Sequence, residues 1–192
     1  MQNLRAAAAL LTFVLVACGQ SHSVNDRSAA ADVTADRGEH RPNYDSPIGG
    51  RAISSVDEAR PYLAFTPRAP KGDLGTLRRI YLADDGTPKH LSSSLAFIYD
   101  HDRFGTVDVL LGRSEHSAEE FRAFVQDNVK ASSDPNTHGT GELVQVNGND
   151  ALLATSEDGS LSDIQWQEDG LAWFVQGPTL DRAAVLSLAA QV

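Results

Sequence analysis

Along the second half of the chain, apolar and polar residues alternate in short runs that give way in places to helical spacing, and this pattern lays out a fold. Residues 77–83 read as a strand, ended by the turn Asp84-Asp85-Gly86-Thr87-Pro88. Leu95, Phe97 and Tyr99 alternate with Ala96 and Ile98, and Val107, Val109 and Leu111 alternate with Thr106, Asp108 and Leu110. Two strands are therefore expected, joined by the polar link 100–105. Ser117-Ala118-Glu119-Glu120 has the form of a capping box, and Phe121, Phe124, Val125 and Val129 follow at helical spacing, so a helix should run to about Ser132. Ser55-Val56-Asp57-Glu58 has the same form and predicts a short helix that Pro61 stops. Residues 63–76, rich in Pro and Gly, should be loop. Asp181 can cap a last helix whose stripe of Val185, Leu188, Ala189 and Val192 is expected to dock on the sheet.

Three turn signals divide residues 144–176: Asn147-Gly148-Asn149-Asp150, Asp158-Gly159 and Asp169-Gly170. A two-residue loop at Asp169-Gly170 sets Glu168 opposite Leu171, Trp166 opposite Trp173 and Ile164 opposite Val175. Counting around Asp158-Gly159 sets Leu153 opposite Ile164 and Ala151 opposite Trp166. Around the first turn, read as four residues, Val146 meets Ala151 and Val144 meets Leu153. One face of a four-stranded meander then gathers Val144, Val146, Ala151, Leu153, Ile164, Trp166, Leu171, Trp173 and Val175, and must be core. The other face carries Gln145, Asp163, Gln165, Gln167 and Gln176, with Leu152 and Phe174 among them. The fold class expected is α+β: a single antiparallel sheet of about six to seven strands with two or three helices packed on it. No internal sequence repeat is seen.

Ahead of this domain the pattern changes twice. Residues 6–16 are apolar but for Thr12 and follow Met1-Gln2-Asn3-Leu4-Arg5, while residues 19–48 are largely polar or small, with Val24, Val33 and Tyr44 as the sizeable apolar residues before Ile48. A spanning helix needs about 20 apolar residues and a signal h-region only about 7 to 15, so the run reads as a signal peptide. It closes in Leu15-Val16-Ala17-Cys18, which resembles the lipobox of bacterial lipoproteins. That resemblance implies cleavage after Ala17 and a diacylglyceryl group on the Cys18 sulfur, anchoring the protein on the extracytoplasmic face of the cell membrane or outer membrane. Gly19, rather than Asp, follows the cysteine. The expected organisation is residues 1–17 as signal peptide, 18–52 as lipidated N-terminus and tether, and 53–192 as one globular domain. A tether of this composition buries too little to fold, and thirty such residues reach roughly 30 Å on average.

Charge and cysteine usage narrow the function classes. The formal net charge is −10, and cleavage would remove only Arg5, which weighs against nucleic acid as a partner. Cys18 is the single cysteine, so its acylation would leave no thiol for disulfides, thiolate catalysis or metal–sulfur sites.

The order of capped helix with Val56-Asp57-Glu58-Ala59, proline-rich loop, strands and closing helix is also similar to a domain family of unknown function. Its members stand at the C-termini of bacterial envelope lipoproteins and of membrane proteins linked to sigma-factor regulation. The matching residues are Val144, Val146, Asn147, Gly148, Ala151, Ile164, Trp166, Gly170, Trp173, Val175, Gly177, Leu180 and Ala189. These are hairpin and core positions. What the resemblance implies is an envelope location and a binding or sensing module, with no catalytic residue to carry over. Residues 117–132 and the loop after them lie outside the shared pattern.

Candidate chemistry is sparse. Asp100-His101-Asp102, with His90 and His116, is the nearest approach to a metal cluster, but a turn this short supplies too few oxygens and reads as an Asp-rich turn. Gly-x-Ser-x-Gly and His-Glu-x-x-His are absent from the sequence, and no glycine pair opens a helix as a phosphate cradle does. Trp166 and Trp173, paired across strands, read as packing rather than pocket lining. Leu152 and Phe174, placed in one row with Gln165 on the polar face, are the candidate ligand or partner residues, since apolar groups there need a cover. The expectation is a lipid-anchored envelope protein with a non-catalytic binding, sensing or regulatory domain, no cofactor, and an unidentified envelope protein or apolar ligand as partner. Two alternatives remain open: a lipid or lipoprotein carrier with an apolar groove, and a metal-binding lipoprotein.

Overall fold

The computed structural model describes residues 46–84, 86, 88–134 and 139–192, all within the compact unit His40–Val192. Eight antiparallel strands form a single sheet: β1 Arg51–Ile53, β2 Thr76–Ala83, β3 Ser94–His101, β4 Gly105–Arg113, β5 Thr140–Val146, β6 Asn149–Thr155, β7 Ser162–Glu168 and β8 Leu171–Gln176. Three helices accompany them: α1 Val56–Ala59, α2 Ala118–Ala131 and α3 Arg182–Ala189. The sheet order is β1-β2-β3-β4-β8-β7-β6-β5. Two four-stranded meanders are thus joined by their last strands, and each is followed by a helix. The repeat lies in topology and has no counterpart in the sequence.

The strand missing from the sequence reading is β1. Arg51 and Ala52, assigned above to the tether, pair with Leu82 and Tyr81, and Ile53 pairs with Ile80. Ile48 packs beside Tyr81, Ala96, Ile98 and Leu110. The folded domain therefore begins before residue 53. Three residues of the type Arg-Ala-Ile carry no alternation to announce a strand.

The register of the last two hairpins is as expected: Leu153↔Ile164, Ala151↔Trp166, Trp166↔Trp173, Ile164↔Val175 and Glu168↔Leu171. The first hairpin differs by two residues. Its loop is Asn147-Gly148 alone, so Val146 faces Asn149 and Val144 faces Ala151. The cause is local: Asn147 and Gly148 both take positive φ, 50° and 84°, the requirement of a type I′ turn that closes a hairpin with two residues. Because side chains alternate with period two, a shift of two leaves every residue on its expected face.

The core lies on one face. Phe97, Val109, Leu153, Ile164, Trp166, Trp173 and Val175 are covered by Ala59 of α1, by Leu63 and Leu74 of the loop, and by Val185, Leu188 and Ala189 of α3. Asp181 caps α3 by accepting the Ala184 N–H at 2.8 Å. The loop is held against the end of α3, where Asp73 N–H donates to Gln191 Oε1 at 3.0 Å. A Cβ on Gly72 would stand 2.2 Å from the Gln191 carbonyl oxygen, so only glycine permits this approach. The two capping boxes part company. Ser117 and Glu120 make both reciprocal bonds. Ser55 makes no side-chain cap, and Glu58 instead accepts from the N–H and hydroxyl of Ser54.

Candidate functional site

The strands that present tryptophans to the core present polar groups to the second face. Gln165 pairs with Leu152 on one side and Phe174 on the other, so the three residues expected to share a row do so. Their surroundings differ. Leu152, 8% exposed, is packed under Phe121 and Val125 of α2, which lies over β5 and β6. Its apolar surface is accounted for by this chain's own helix. Phe174 belongs to another group, half-buried against Tyr81, Ala96, Ile98 and Leu110. Gln165, also half-buried, divides the two. The row gives no continuous apolar opening from Leu152 to Phe174.

One step along the strands lies a second, polar row. Asp108 faces Gln176, and continuing the register past Ile164↔Val175 brings Asp163 beside Gln176 on its other side. Both aspartates are half-buried. Burial raises the Asp108 carboxyl to about 6, against the opposing effects of a hydrogen bond with Gln176 and the charge of Arg78. Burial likewise raises Asp163 to about 6. Two acids flanking an amide thus titrate near neutrality, able to accept hydrogen bonds as carboxylates or donate one each as acids. Sequence placed Asp108 and Asp163 on polar positions, but alternation alone does not tell a half-buried acid from a solvated one.

Beside this face, at the start of α2, is a cleft of about 500 Å³. Its walls include His116, Phe121, Arg122, Gln145, Asp150 and Gln167. Here Asp150 accepts hydrogen bonds from Arg122 and Gln145, and the Arg122 contact chiefly holds its carboxyl below the usual range. Residues 148–150 and 167–170, at two hairpin ends, also line it. The sequence reading took residue 150 only as part of a turn; Arg122 reaches it from a helix 28 positions earlier.

The remaining candidates find local partners. His90 Nδ1 lies 2.7 Å from the Ser92 hydroxyl, and His101 Nδ1 accepts the Arg103 N–H at 3.1 Å. The His116 ring stacks 6.3 Å from Phe124. Among the described residues no three His, Cys, Asp or Glu side chains come together to hold one ion. Trp166 and Trp173 stack at 6.2 Å with 14° between planes, 0% and 2% exposed. The Arg68 guanidinium stands 5.5 Å from the Trp173 ring and is paired with Glu168 and Asp169. Leu15, Val16, Ala17 and Cys18 lie outside the described residues. No helix among the described residues is long and apolar enough to cross a membrane.

No family model, curated protein or solved structure matches the chain.

Proposed function

We propose that this protein is a lipid-anchored component of a bacterial cell envelope whose domain binds a partner or ligand without transforming it. The observation that carries the reading is Leu15-Val16-Ala17-Cys18 at the close of the apolar run 6–16. A short apolar run that ends in small residues and a cysteine supplies both an export signal and the thiol for a diacylglyceryl anchor. The binding surface is the second face of the sheet, where Gln165, Gln176, Asp108 and Asp163 present hydrogen-bond donors and acceptors. These side chains suit recognition: the amides both donate and accept, and the carboxyls accept when ionised and donate when protonated. The excess of acidic residues directs that surface toward neutral or cationic groups.

Metabolic labelling with a palmitate analogue tests the anchor. Label is expected on the wild-type protein in the membrane fraction and absent from Cys18→Ala, which should be released or mislocalised. An unlabelled wild-type protein would remove the anchor from the proposal. The binding role fails separately if the protein turns over a defined substrate and one point substitution abolishes that turnover.

A further inference from the structure

Two-residue hairpin turns come in two favoured forms, I′ and II′, which share a positive φ at the first central residue and differ by a flip of the peptide between the central pair. The β5–β6 turn is of the first form, with Asn147 at φ 50° and Gly148 at φ 84°. Both residues are exposed. Beyond its chain neighbours, no heavy atom lies within 4 Å of where a Cβ on Gly148 would stand, so the turn is open on that side, and glycine tolerates either sign of φ. The Asn147 side-chain amide makes no hydrogen bond among the described residues; only its main-chain oxygen is engaged, by Asn149 Nδ2 at 3.5 Å. The Gly148 N–H sits between the paired residues Val146 and Asn149, outside the ladder. In the flipped form this nitrogen turns toward the Asn147 side chain, as closure of a five-membered ring requires.

We propose that Asn147 is a site of spontaneous deamidation in the folded protein, the hairpin passing through a succinimide while its strands stay in register. The Gly148 nitrogen bonds to Asn147 Cγ, the Cγ–Nδ2 bond breaks, and the amide proton leaves with the nitrogen as ammonia. Water then opens the ring at either carbonyl, leaving aspartate or isoaspartate. The positive φ of Asn147 already matches the turn that the ring favours, so the protein need not unfold to react. This is the single Asn-Gly pair of the chain. Two Asp-Gly turns among the described residues are engaged by neighbours: Asp158 is held ionised, near 2, by Ser160 and Ser156, and an ionised carboxylate is a poor electrophile, while Asp169 is paired with Arg68. Isoaspartate at 147 lengthens the turn and adds a carboxylate near Asp150, loading the Arg122 contact at the cleft with a second negative charge.

The test is incubation of the purified protein at mildly alkaline pH, read by peptide mass spectrometry and isoaspartate-specific enzymatic methylation, with a parallel sample unfolded in urea. Product is expected at residue 147 and not at Asn128 or Asn149. Its rate should fall within about tenfold of the unfolded sample, where a turn that had to open first would be slowed by orders of magnitude. Asn147→Asp, which keeps a residue suited to positive φ, should abolish ammonia release. An unmodified Asn147 in the folded protein, a folded rate suppressed by orders of magnitude, or equal reaction at Asn149 would overturn the proposal.

Discussion

The two faces of the sheet are built from the same strands by the same alternation, yet one is filled continuously and the other is divided into three. On the core face, loop, α1 and α3 converge on a single cluster that runs from Ile53 to Val175. On the second face, α2 covers only β5 and β6, an apolar group sits on β2, β3, β4 and β8, and the Asp108–Gln176–Asp163 row lies one step further along the strands. Alternation decides which residues share a face. What covers a face is decided by helices whose landing place depends on connections far away.

The largest difference between the faces should come from their centres. Trp166→Ala is expected to cost about 3–5 kcal/mol in urea unfolding, since it empties a fully buried site and strands its stacked partner. Parity with a surface substitution would mean that the core is not centred there. Leu152→Ala, on the second face, should cost about 2–3 kcal/mol and increase hydrogen exchange in α2 ahead of the rest of the domain. Uniform loss across all elements would show that α2 is not a separate cover. Ser117→Ala removes the hydroxyl that accepts the Glu120 N–H at 3.3 Å and should cost about 1 kcal/mol, again concentrated in α2.

The smallest effect concerns pH. Asp108 and Asp163 have folded values near 6, above the ordinary 3.8, so between these values the folded state holds more protons than the unfolded. The contribution of these two acids to stability should therefore rise as pH falls from above 6 toward 4. Asp163→Asn should flatten part of that slope and stabilise the domain at neutral pH, by less than about 1 kcal/mol given its partial exposure. Identical slopes in the wild type and Asp163→Asn, from thermal melts across this range, would show that this acid is better solvated than its position implies.

Much of the core face was legible because its signals are short-range. Asp169-Gly170 fixes the β7–β8 register, and that register alone puts Trp166 against Trp173. The Asn147 turn was misread by two residues because Asn149 and Asp150 are turn formers by type, while the positive φ of Asn147 and Gly148 makes two residues sufficient. The second face was half legible. The row Leu152–Gln165–Phe174 followed from counting, but α2 over Leu152 did not, since nothing in the spacing of Phe121 and Val125 names the strand they meet. Leu63 and Leu74, fully buried in a segment read as loop, were missed for the same reason.

The seam between the meanders has a consequence for how the chain becomes a sheet. Each meander can zip up from its own tight turns, but the pairs from Asp108↔Gln176 to Arg113↔Leu171 join strands separated by a helix and three further strands. Closing that ladder carries the largest loop entropy of any strand pairing in the sheet, and its partners do not exist until β8 has been made. Until then β4 is an open edge bearing Val107, Val109 and Leu111. The last strand to be synthesised is the one that turns two half-sheets into one protein.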